Sequence, residues 1–219
     1  MNKIEKLIAE KGYLIADGAT GTNLFSMGLD SGHPPELWNI EFPERIYLNH
    51  QNFVDAGSDL ILTNTFGANR FRLALHKAEN QVHELNLAGA SIARKVADLS
   101  ERTVLVAGSI GPTGEIFEPL GTLSKAEAES AFTDQAIALK EAGVDLAWIE
   151  TMSSQEEMES AIVASKNVGL PIVCTYSFDT HGKSMMGLEP KELVKLAEEH
   201  SPEIMGYGAN CGIGAAELI

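Results

Sequence analysis

Cysteine is scarce in this chain: Cys174 and Cys211 are the only two in 219 residues. Two cysteines cannot form the framework of a disulfide-stapled secreted domain, and they fit a reducing, cytoplasmic setting in which a thiol stays available. Positive charge is also short. Sixteen Lys and Arg face 31 Asp and Glu, a formal net charge of −15, which argues against a surface that wraps nucleic acid or an anionic membrane. No apolar run approaches the roughly 20 residues of a membrane span. The opening Met1-Asn2-Lys3-Ile4-Glu5-Lys6 has no apolar run behind it long enough for a signal peptide. Low-complexity segments and a domain linker are missing too. The composition is that of an ordinary globular chain, and its length suits one sizeable core or a small two-domain protein.

The apolar pattern alternates short strand-like runs with helices. Asn2–Lys11 reads as an amphipathic helix ended by Gly12, and Tyr13–Ala16 as the first strand. Asp17-Gly18-Ala19-Thr20-Gly21-Thr22 follows. It is either an anion-cradling turn or a plain turn capped by Asp17. It has neither the Gly-x-Gly-x-x-Gly spacing of a dinucleotide site nor the lysine of a P-loop. Residues Ser26–Asn39 read as a long loop in which Trp38 is a lid or a surface clasp. Further strands are expected at Asp59–Thr63, Thr103–Ala107, Val144–Ile149, Pro171–Thr175 and Ile204–Tyr207. Between them run helices over Pro43–Ala56, about Val82–Leu99, Ser124–Ala142, Ser153–Val168 and Pro190–His200. Ser124 with Glu127, and Ser153 with Glu156, have capping-box spacing. Gly108 to Gly114 reads as a glycine-rich loop.

The chain echoes itself. Asp55-Ala56-Gly57-Ser58-Asp59-Leu60 matches Glu141-Ala142-Gly143-Val144-Asp145-Leu146, and the same offset sets Asn64 on Glu150 and Thr65 on Thr151. Asp17, Asn64, Glu150 and Cys211 all fall just after strands. A β/α barrel gathers such positions on one face, and a doubly wound open sheet also binds ligands at strand ends. Periodicity alone does not choose between the two. Six β/α units are visible where a closed barrel needs eight, so a barrel would be a fragment or have its gap filled by something else.

Five ordered motifs carry a family resemblance: Asp17 to Thr22, Asn64-Thr65-Phe66-Gly67-Ala68-Asn69, Gly108-Ser109-Ile110-Gly111-Pro112, Ile149-Glu150-Thr151 and Gly208-Ala209-Asn210-Cys211. Together they resemble the zinc-dependent homocysteine S-methyltransferases. Asp17 to Leu29 with Pro35-Glu36-Leu37-Trp38-Asn39 looks most like the bacterial betaine–homocysteine enzymes. The resemblance implies a (β/α)8 TIM barrel, of which residues 1–219 supply about the first six units. It implies transfer of a methyl group, from betaine or another small donor, to the zinc-activated thiol of homocysteine, giving methionine. By motif match, Cys211 is a zinc ligand, Asp17 and Glu150 hold the substrate ammonium, and the turn at Gly18 meets its carboxylate. Trp38 and Asn64 are candidates for the donor side or a lid. The family completes its zinc site with an adjacent cysteine pair farther along, and no Cys-Cys pair occurs here. A substitute site would draw on Cys211, His181 and a third group. Cys174 reads as a core residue. The implied partners are homocysteine and the donor, with room for a homo-oligomer.

Overall fold

A computed structural model of the chain describes residues 3–179 and 181–212. Five strands form one parallel sheet: β1 (Leu60–Leu62), β2 (Leu105–Ile110), β3 (Leu146–Met152), β4 (Ile172–Tyr176) and β5 (Ile204–Ala209). Their spatial order is their chain order. A doubly wound sheet reverses its order at a switch point, so the sequential order selects the barrel arrangement.

Helices α1 (Lys3–Lys11), α2 (Thr20–Ser26), α3 (Trp38–Glu41) and α4 (Pro43–Ala56) precede β1. Helices α5 (Arg70–Ala74) and α6 (Val82–Leu99) link β1 to β2. Helices α7 (Lys125–Glu141), α8 (Gln155–Val168) and α9 (Pro190–Glu199) supply the later crossovers.

Side chains along the strands alternate between two layers, as the two-residue period of a strand requires. Ile61, Val106, Ala147, Ile149, Ile172, Cys174 and Tyr176 join the layer packed against the helices. Leu60, Leu105, Ala107 and Leu146 face inward, where Ile4 and Leu7 of α1 close the floor. Cys174 is therefore sealed on the helix side. Burial pushes its thiol up to about 12.

The inward series continues toward the strand C-termini as Ser109 and Glu150. The alternation that makes the core thus also delivers polar groups to the rim.

Three expectations shift. The first strand shrinks to a single parallel bridge, Ala16 to Leu60. Its ladder is taken over by a side chain, since Leu62 N–H donates to Asp17 Oδ2 at 2.9 Å. Gly108 to Ile110 lies within β2 rather than in a loop. A Cβ at Gly108 would sit 2.9 Å from Leu139 of α7, so the glycine lets helix and sheet approach. The expected Ser153–Glu156 box moves by one residue: Ser154 caps α8 by accepting from Glu157 N–H. The Glu157 carboxylate does not close that box. It accepts instead from Thr113 N–H and Oγ1, at 2.8 and 2.6 Å. Ser124 and Glu127 form the expected box.

The sequence echo has a structural meaning at the floor. Asp59 accepts from Ile15 N–H at 3.1 Å and pairs with Lys11 and Arg102. Asp145 accepts from Val106 N–H at 2.8 Å and pairs with Arg94 and Lys3. Each acid fixes the preceding strand's register and is matched by two cations.

Candidate functional site

At the opposite end, the strand C-termini open into a cavity of about 810 Å³. Asp17, Gly18, Asn64, Glu150 and Cys211 all line it. Trp38 does not: it is buried with Leu24, Leu29 and Ile46, below the guanidinium of Arg45. Asn64 reaches the wall, but its amide is committed, donating to Pro35 O and Asn39 Oδ1 at 2.8 and 2.9 Å. Asn39 in turn donates to Asn64 O and Leu85 O. Residues 35–39 are thus clamped onto the loop after β1 as a fixed wall.

Asp17 and Glu150 are the cavity's anionic centre. Ser109 Oγ donates to Glu150 Oε1 at 2.6 Å. Among the described residues neither acid has an ion-pair partner. Burial pushes the Asp17 carboxyl up to about 7; the Leu62 N–H bond opposes this, and the Glu150 charge adds to it. Burial also raises Glu150, against the bond from Ser109. Two neighbouring carboxyls held above their ordinary range, with no cation among the described residues, have the chemistry that suits a cationic group.

Asn210 ties this pair to the thiol. Its Oδ1 accepts from Thr151 N–H at 2.9 Å and from Thr175 Oγ1 at 2.7 Å. Its Nδ2 donates to Thr151 Oγ1 at 2.7 Å, and lies 3.4 Å from Glu150 Oε2 and 3.3 Å from Cys211 Sγ. Thr151 and Cys211 both adopt left-handed backbone, φ 60° and 57°, which costs a residue with a Cβ about 1 kcal/mol or more. The β3–β4 register shifts between Ile149 and Met152, next to Thr151. The strained turn and the amide network together place the thiol at the cavity edge.

Sequence reading named both acids and the thiol but gave no role to Ser109 or Asn210. Both lie inside motifs it had marked, and strand parity was the available signal for Ser109. Glu36 was also passed over. It is 5% exposed, lines the cavity and accepts from Gly67 N–H at 2.6 Å. Burial raises its carboxyl, against its backbone bonds and the charges of Arg72 and His76.

A catalytic zinc takes three protein ligands and leaves one position open. Among the described residues no group of three or more His, Cys, Asp or Glu could hold a metal ion. Cys174 faces the helices, and His181 is not part of the cavity wall. The described residues therefore do not fit a complete zinc site; Cys211 offers a single donor.

Fold and site define a β/α-barrel protein with an acidic, thiol-edged pocket at its strand C-termini. The family model for homocysteine S-methyltransferase matches residues 14–218, and the chain belongs to that family. It is 28% identical over 222 residues to the methionine synthase of Mycobacterium tuberculosis, covering 94% of this chain and 18% of that protein. The methionine synthase of Mycobacterium leprae is 27% identical over the same length. The chain thus spans less than a fifth of these curated relatives. Among solved structures, it superposes on the metallated form of the homocysteine methyltransferase MmuM from Escherichia coli with a TM-score of 0.84 and 25% identity. That match covers 99% of this chain and 80% of the MmuM chain. The oxidised form of MmuM gives 0.80 at 26% identity.

Proposed function

We propose that this chain is the amino-acid-binding part of a homocysteine S-methyltransferase that makes methionine, with betaine the first donor to test. The carrying observation is the pair Asp17 and Glu150, two carboxyls with no ion-pair partner among the described residues, sharing one cavity with the Cys211 thiol. The ammonium of homocysteine sits between the acids. The backbone turn at Gly18 meets its carboxylate, and its sulfur points to the Cys211 side of the cavity. There the thiol loses its proton to solvent water, and the thiolate attacks the methyl carbon of an onium donor. The new S–C bond takes the sulfur's electron pair, and the broken C–N bond leaves its pair on a neutral amine. The cavity's contribution is orientation and exclusion of water. Cys211 would supply one ligand of the zinc that the family resemblance implies.

A second reading is favoured by the single metal donor: the chain grips the amino acid and performs no transfer by itself. Calorimetry with homocysteine and methionine tests the shared premise. Binding of either, weakened on the order of 100-fold in Asp17→Asn, supports it; no heat with both compounds removes it. Turnover by the 219-residue chain separates the two readings.

A further inference from the structure

The cavity has a second end whose chemistry the amino acid leaves unused. Arg72, Leu73 and His76, on and just after α5, line it with Phe66 and Glu36. Helix α5 follows the first strand of the sheet, whereas Cys211 follows the last.

In this acidic chain most arginines are already matched. Arg70, Arg94 and Arg102 pair with Asp134, Asp145 and Asp59. The Arg45 guanidinium lies 4.7 Å from the Trp38 ring centre. Arg72 is the remaining arginine. Among the described residues its guanidinium has neither an ion-pair partner nor a hydrogen-bond acceptor. Its backbone is fixed, because Arg72 N–H donates to the α5 cap Asn69 Oδ1 at 3.1 Å. Space for the side chain comes from Gly114, where a Cβ would stand 3.2 Å from Arg72 Nη1. Glu36 reaches it only through space, since Oε1 of that acid is taken by Gly67.

An unmatched guanidinium at an open cavity presents two parallel N–H groups in the geometry that a carboxylate accepts. A cavity of about 810 Å³ is also large for one small amino acid, since pockets of this size take drug-sized ligands. We propose that Arg72, with His76 beside it, is the subsite that binds the carboxylate of the second substrate. The inference rests on the amino-acid reading of Asp17 and Glu150 and adds a specificity-determining residue on the donor side.

The carboxylate could come from the donor or from the amino acid itself, and calorimetry tells them apart. With methionine saturating, glycine betaine is titrated against choline, and S-methylmethionine against trimethylsulfonium. At least one acidic donor binds on the order of tenfold tighter than its acid-free counterpart. Arg72→Gln closes that gap to about twofold, Arg72→Lys keeps part of it, and methionine affinity and melting temperature stay at the wild-type value. A gap that survives Arg72→Gln overturns the proposal. So does Arg72→Gln weakening methionine instead, which assigns the guanidinium to the amino acid. Methionine binding with no donor binding overturns the Arg72 subsite alone; failure of wild type to bind homocysteine or methionine overturns the site reading along with it.

Discussion

At the floor of the barrel, Asp59 meets Lys11 and Arg102, and Asp145 meets Arg94 and Lys3. At the rim, Asp17 and Glu150 meet each other and, among the described residues, no cation. Burial pushes Asp59 up, but the hydrogen bonds from Lys11 and Ile15 and the charges of Lys11 and Arg102 outweigh it and hold the carboxyl below its ordinary range. Burial pushes Asp17 up to about 7, with only backbone hydrogen bonds and no cation against it. The same side chain, next to the same kind of strand, is a fastening at one end and is left without a matching cation among the described residues at the other. What differs is whether the fold supplies the counter-charge or leaves it to a ligand.

The sharpest way to break this contrast is to exchange the consequences of losing an acid. Asp59→Asn leaves Lys11 and Arg102 facing a neutral amide and should destabilise the chain by about 3 kcal/mol, read from urea unfolding. It should leave methionine binding unchanged in the folded fraction. Asp17→Asn should do the reverse, weakening methionine on the order of 100-fold, about 2.7 kcal/mol, while the amide oxygen still accepts from Leu62 N–H. If Asp59→Asn costs nothing, or Asp17→Asn costs as much stability as Asp59→Asn, the two ends do not divide their roles.

A pH series sharpens the same point. The folded value of Asp17, about 7, lies above the ordinary 3.8. Stability from keeping that proton is fully present below pH 4 and is lost as pH rises through 7. Asp17→Asn keeps a neutral group at every pH. Relative to wild type it should gain on the order of 4 kcal/mol at pH 8 and little at pH 4. An ammonium ligand favours the ionised acid, so methionine binding near pH 6.5 should release part of a proton, in the direction of the Asp17 shift. Calorimetry in buffers of different ionisation heat reads that release, and its absence would mean the ammonium lies elsewhere.

The two ends also differ in how far they were legible in the sequence. The rim acids and Cys211 stood out because each follows a strand-like run. The floor acids showed only as an echo, Asp59 against Asp145, whose purpose emerged once Ile15 N–H and Val106 N–H were seen to donate to them. Chain-order strand pairing, which selects the barrel over the open sheet, left no local trace. Ala16 keeps one bridge because Asp17 uses its carboxylate, not its backbone, to accept Leu62 N–H, and side-chain takeover of a ladder is invisible to apolar periodicity. Glu157 shows the same limit. Capping spacing cannot announce that a carboxylate will reach Thr113 across the fold. Asn210 sat inside a marked motif, yet its role depends on Thr151 and Thr175, far away in sequence.

The weakest member of the floor sets the lower limit of the comparison. Asp145 holds Arg94 Nη1 at 2.9 Å, with the Arg94 side chain 18% exposed, and Lys3 at 3.3 Å, with the Lys3 side chain 44% exposed. Water screens Lys3, and Arg94 stays in place when it is removed. Lys3→Gln should therefore cost less than about 0.5 kcal/mol in urea unfolding, and added salt should shrink even that. Arg94→Gln removes the better-shielded partner and should cost several times more. Equal losses from the two substitutions would mean that the floor works through summed charge near Asp145. The measured ratio thus decides whether the matching of acids at the floor lies in specific contacts, as the bond to Val106 N–H implies, or in the local field alone.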